Sequence, residues 1–101
     1  MEKKYELIDE TIKVGRKTLH RIRALRDFGD VKKGDLGGFI ENEDNLSHEG
    51  NCWVAGSHRP FDSGYVFGNA KVFGDARIFG DAEITGNTKI SIMDPLLMEE
   101  E

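Results

Sequence analysis

Three imidazoles and one thiol are the side chains of this 101-residue chain best suited to acid–base, nucleophilic or metal chemistry: His20, His48, His58 and Cys52. A three-histidine zinc site needs nitrogens converging at about 2 Å from the metal with a fourth position open. The spacings contain no close pair of the i, i+4 kind that a metal-binding helix uses, so the histidines read as structural or surface residues. Cys52 is the single cysteine and has no internal disulfide partner; next to Trp53 and Val54 it reads as a buried core thiol rather than a nucleophile. The glycines of Gly34-Asp35-Leu36-Gly37-Gly38 lack the Lys-Ser/Thr and the following helix of a phosphate loop. On these residues no catalytic group, no metal ligand and no cofactor is assigned.

The candidate binding residues are instead aromatic and acidic, and a six-residue frame positions them. Val66-Phe67-Gly68-Asn69-Ala70-Lys71 is followed by Val72-Phe73-Gly74-Asp75-Ala76-Arg77, Ile78-Phe79-Gly80-Asp81-Ala82-Glu83 and Ile84-Thr85-Gly86-Asn87-Thr88-Lys89. A fixed period with a fixed chemical role at each place specifies a solenoid, whose repeats bury their apolar faces only against one another. Counted in sixes, the aliphatic place holds Val54, Pro60, Val66, Val72, Ile78, Ile84, Ile90 and Leu96, and Pro60 is the poor fit. Two residues earlier a small place holds Cys52, His58, Gly64, Ala70, Ala76, Ala82, Thr88 and Asp94. Alternation along an extended backbone turns both places inward and turns Lys71, Arg77, Glu83 and Lys89 to solvent. Gly68, Gly74, Gly80 and Gly86, each followed by Asn or Asp, suit a recurrent corner at positive φ.

This frame resembles the hexapeptide-repeat, left-handed parallel β-helix family, and more closely its small bacterial and prophage-type members with V-x-G-[ND]-A repeats. The resemblance implies an all-β protein in which three hexads make a coil of roughly eighteen residues, with residues 51–98 forming between two and three coils. The sequence departs from the commonest acyltransferase hexad, which has Gly directly after the aliphatic residue, where Phe67, Phe73 and Phe79 stand here. A run of short antiparallel strands joined by Gly-Asn and Gly-Asp turns is the competing architecture, and unbroken six-residue phasing argues against it.

Residues 1–50 do not follow the hexad. Tyr5-Glu6-Leu7-Ile8 and Thr11-Ile12-Lys13-Val14 read as short strands joined near Asp9-Glu10, with a turn at Gly15-Arg16-Lys17 before a further strand in Thr18–Leu25. A glycine-punctuated loop follows, with a short strand around Phe39-Ile40. The whole segment reads as a β-rich cap over the open end of the repeats, and Glu99-Glu100-Glu101 as an acidic, solubilising tail. No segment has the length and apolarity of a membrane span or a secretion signal, which makes the expectation cytoplasmic and without a membrane role. Residues 1–34 carry ten Lys or Arg against six Asp or Glu, and residues 35–101 four against thirteen. A net +4 followed by −9 favours steering of charged partners or head-to-tail contacts, and makes direct nucleic-acid binding an unfavoured reading.

The resemblance makes acyltransferases and zinc-dependent carbonic anhydrases the enzyme candidates. For acyl transfer, His58 in the irregular segment Ser57–Gly64 is the sensible general base, although two or three coils leave little wall for a coenzyme. Phe67, Phe73 and Phe79 each follow an inward aliphatic and so point outward, and Phe61 lies eighteen residues before Phe79. With Asp62, Asp75, Asp81 and Glu83 they form the expected partner-binding set. The preferred reading is a non-catalytic binding solenoid whose acidic, aromatic face takes a protein partner. The prophage-type likeness suggests a basic nucleic-acid-binding host protein in that place, as for an anti-CRISPR inhibitor of a defence nuclease. A small acyltransferase-like enzyme and a structural oligomerisation module, self-associating as larger family members do, are the alternatives.

Overall fold

A computed structural model of the chain describes residues 3–57, 59, 62–79 and 82–91. The elements are strands apart from one 3-10 turn, Glu43–Asn45. β1 (Tyr5–Val14) and β2 (Lys17–Ala24) form an antiparallel hairpin. Gly15, at φ 62°, occupies the first central position of its two-residue turn, the place that a tight hairpin reserves for glycine. The expected break at Asp9-Glu10 is a bulge within a single strand: Leu7 pairs with Ile22 and Thr11 with His20. Three residues of β1 therefore oppose Arg21 alone, which bends the strand without ending it.

β2 pairs antiparallel with β3 (Leu36–Ile40), and from β3 onward the pairing is parallel. The later strands are pairs of residues: β4 (Trp53–Val54), β5 (Tyr65–Val66), β6 (Lys71–Val72), β7 (Arg77–Ile78), β8 (Glu83–Ile84) and β9 (Lys89–Ile90). They lie in three ladders that the chain visits in rotation. The first runs β3–β5–β8, the second joins Leu46 to β6 and β9, and the third joins β4 to β7. Tyr65 pairs with Glu83 and Lys71 with Lys89, eighteen positions on in both cases.

The aliphatic place forms the inside of these ladders. Val54, Val66, Val72 and Ile78 are buried, while Ile84 and Ile90 are partly buried. Ile40 and Leu46, both fully buried, hold the equivalent places on the first and second ladders, so the stacking reaches upstream of residue 51. Trp53 pairs with Arg77, 24 positions on, which is one hexad beyond the regular step. Val54 on the third ladder and Val66 on the first are thus separated by two hexads rather than one, and the Gly64 amide closes back on the Ala55 carbonyl. Cys52, Ala70 and Ala76 fill the small place in the core, and Ala82 packs against its margin. Gly68, Gly74 and Gly86 take φ of 70°, 65° and 72°. A Cβ on Gly74 would stand 2.5 Å from the Ser91 carbonyl oxygen, so the glycine supplies close approach as well as handedness.

The inner face of the hairpin joins the same core through Tyr5, Ile22 and Ala24, and the following loop adds Phe28 and Val31. Burying each large apolar side chain contributes about 1.5–3 kcal/mol. A smaller cluster lies elsewhere in the core, where Leu19, Phe39 and Phe67 are covered by Ile12, Val14 and Tyr65.

Candidate functional site

Three large apolar side chains remain exposed among the described residues: Leu36 at 42%, Phe73 at 39% and Phe79 at 51%. Arg77 neighbours Phe79. Its guanidinium carbon lies 5.9 Å from the Phe79 ring centroid, and its Nη1 donates to Asp30 at 2.5 Å. Arg77 also borders a groove of about 480 Å³ that Trp53, Leu36 and Asp35 line. Trp53 is fixed from beneath by Phe28, edge to face at 5.3 Å. The Arg77 hydrogen bond and charge hold the Asp30 carboxyl below its ordinary range, keeping it anionic. The groove therefore offers an aromatic side, one engaged cation and two carboxylates, an arrangement suited to apolar contact with a positively charged partner.

The expected set of binding residues does not share one face. Each hexad advances the chain to the next ladder, so Phe67, Phe73 and Phe79 follow β5, β6 and β7 on three different ladders. Phe67 is not a contact residue at all: it is buried in the cluster that Ile12 and Val14 of the hairpin cover. Asp62, Asp75 and Glu83 are exposed, shortly before β5, at a corner and on β8 respectively. Phe61 and Asp81 lie outside the described residues. The third ladder steps by twenty-four residues, Val54 pairing with Ile78.

The nitrogens of His48 are both occupied. Nδ1 accepts the Lys4 amide at 3.2 Å, Nε2 lies 3.0 Å from a Glu43 carboxylate oxygen, and the ring stacks on Tyr5 at 4.1 Å. An imidazole so held braces the hairpin against the first turn. The hydrogen bond to His48 is the main reason the Glu43 carboxyl sits below its usual range, against the opposing effect of burial. His20 is half-buried on β2. His58 is outside the described residues. No group of three or more His, Cys, Asp or Glu among the described residues is placed to hold a metal.

Cys52 is buried, and its Sγ lies 3.3 Å from the Lys4 ammonium. That ammonium is itself buried and donates to the Cys52 and Gly50 carbonyls at 2.8 and 3.1 Å. Arg21 is the other buried cation, 1% exposed. It donates to the carbonyls of Gly37 and Ser57 and to Glu10, and lies over the Phe39 ring. At Ser57 it holds the chain just after Ala55, whose carbonyl accepts from the Gly64 amide. Sequence reasoning assigned Arg21 no role and placed Arg77 in solvent. The bulge of β1 against Arg21, and a carboxylate forty-seven residues from Arg77, leave no local signal for either.

No protein-family model matches the chain. Over 36 residues, 36% of its length, it is 50% identical to a protein of Escherichia coli K12 described as the uncharacterized acetyltransferase YdcK. The match covers 11% of that protein, so the chain spans about a tenth of its relative's length.

Proposed function

We propose that this chain is a hexapeptide-repeat unit, a short left-handed parallel β-helix of the acyltransferase type, capped by its N-terminal hairpin. The observation that carries the reading is the eighteen-residue step of two parallel ladders, with glycine at positive φ at the corners. The likeness to an acetyltransferase over a third of the chain supports the same assignment. In acyl transfer a general base takes the proton of an acceptor amine or hydroxyl as it attacks the thioester carbonyl, and the thiolate leaves and is protonated. The sequence nominates His58 for that base. Titration calorimetry with acetyl-coenzyme A tests the reading. Saturable binding, with transfer lost in His58→Ala and the unfolding temperature kept, is expected; no binding at millimolar coenzyme would remove the acyltransferase assignment.

A second reading, a protein-binding solenoid, is favoured by the exposure of Leu36, in the groove that Arg77 lines, and of Phe79, against Arg77. Its contact surface is this groove rather than a continuous aromatic face, and Asp30 and Asp35 select a basic partner or a second copy through its basic hairpin. No observation singles out a defence nuclease as that partner. Phe79→Ala with Leu36→Ala is expected to speed dissociation at least tenfold if these are buried anchors, each worth more than about 1 kcal/mol. Unchanged light scattering and unchanged partner capture would rule this groove out.

A further inference from the structure

A second groove, of about 340 Å³, runs beside the corner between the first and second ladders. Lys71 and Lys89 line it and are paired directly across the β6–β9 ladder, both exposed. Neighbouring strands lie about 4.8 Å apart, and like charges directly opposite each other are unfavourable. Among the described residues neither ammonium has an ion-pair or hydrogen-bond partner. The surroundings make this pairing distinctive. Residues 35–101 hold four Lys or Arg against thirteen Asp or Glu; Arg77 is engaged by Asp30, and two of the remaining three cations stand together here. Asp44 is the one carboxylate lining the groove.

The opposite side is a column of carboxamides. Asn69 Nδ2 donates to Asn87 Oδ1 at 3.3 Å, leaving the Asn87 amide as a donor. Asn45 closes the upper end and is fully committed: its Oδ1 accepts from the amides of Glu41 and Asn42, and its Nδ2 donates to the carbonyls of Gly68 and Ala70. The groove is thus rigid at one end and carries two unneutralised ammoniums one strand step apart beside a carboxamide donor.

We infer that this groove binds an anion carrying two linked phosphoryl groups, aligned along the stack so that each group meets one lysine. Two charges at strand spacing relieve the repulsion of the lysine pair, and charge-assisted hydrogen bonds are the strong ones. The inference stands on the lysine pair and uses neither His58 nor the Arg77 groove. Inorganic pyrophosphate, titrated into the full chain at low ionic strength and followed by ¹H–¹⁵N spectra and thermal unfolding, is the test. Shifts centred on Lys71, Lys89, Asn69 and Asn87, and a raised unfolding temperature, are expected. Lys71→Gln with Lys89→Gln should weaken pyrophosphate at least tenfold and abolish its thermal protection. Without pyrophosphate the same variant should unfold at an equal or higher temperature, since it removes a like-charge pair; this separates lost binding from lost folding. Lys32→Gln with Lys33→Gln should bind as the parent does. Undiminished binding in the Lys71/Lys89 variant, shifts centred on the Lys13–Lys17 turn, or equal affinity for succinate would each overturn the assignment.

Discussion

Lys4 and Tyr5, adjacent at the start of β1, face opposite demands from burial. Burial lowers the Lys4 pKa, with the Cys52 thiol acting in the opposite sense, and raises that of Tyr5, whose hydroxyl donates to the Leu46 carbonyl. The signs follow by linkage. Below the ordinary lysine value the unfolded chain holds a proton that folded Lys4 gives up more readily, so stability rises with pH toward about 10. Above about 10 unfolded tyrosine ionises while folded Tyr5 stays neutral, and stability falls. Urea unfolding at intervals from pH 7 to 11 checks this: Lys4→Met should flatten the rise and Tyr5→Phe the fall. Glu10 supplies the acid limb, since its hydrogen bond from Arg21 lowers its pKa; the contribution is present above the ordinary carboxylate value and fades as pH drops below it. Arg21→Met should cost about 2–4 kcal/mol, because the buried Gly37 carbonyl and the part-buried Ser57 carbonyl lose their donor. Glu10→Gln, at a site 42% exposed, should cost about 1 kcal/mol or less. A smaller loss for Arg21→Met than for Glu10→Gln would contradict the clamp.

The two-residue strands depend on the corner glycines and on one inward residue each. Gly86→Ala meets nothing within 4 Å and bears only the left-handed backbone penalty, about 1–2 kcal/mol. Gly74→Ala adds contact with the Ser91 carbonyl and should lower the unfolding temperature further; equal shifts would deny that corners stack so closely. Ile78→Asp should unfold the domain, burying an unpaired carboxylate at several kcal/mol, while Lys71→Asp should be tolerated beside Lys89. Arg77→Asp is not the neutral control that alternation alone suggests, for it would set a second carboxylate against Asp30. From β5 to β9 the sequence was legible because each hexad repeats the same roles. The first coil was not, since Leu46 and Val54 are eight positions apart, which hides Ile40 and Leu46 from a count in sixes. The outward aromatics were legible as outward residues. Their distribution over three ladders, and the cover that the hairpin places over Phe67, depend on contacts far apart in sequence.

At the scale of the molecule, the hairpin, the loop through Phe28 and the three ladders share one apolar core, so the cap and repeats are expected to unfold together. Among the described residues no helix is long and apolar enough to cross a membrane. The grooves at Arg77 and at Lys71–Lys89 have different linings and opposite charge balance, so a basic partner proposed for the one and a small anion proposed for the other are expected not to compete. All of this rests on parallel stacking at the three-hexad step. Inter-strand nuclear Overhauser contacts in the ¹⁵N-labelled chain measure that stacking directly. The account predicts parallel cross-strand contacts from Tyr65–Val66 to Glu83–Ile84 and from Lys71–Val72 to Lys89–Ile90; antiparallel contacts between successive hexads, such as Val66 with Val72, would contradict it.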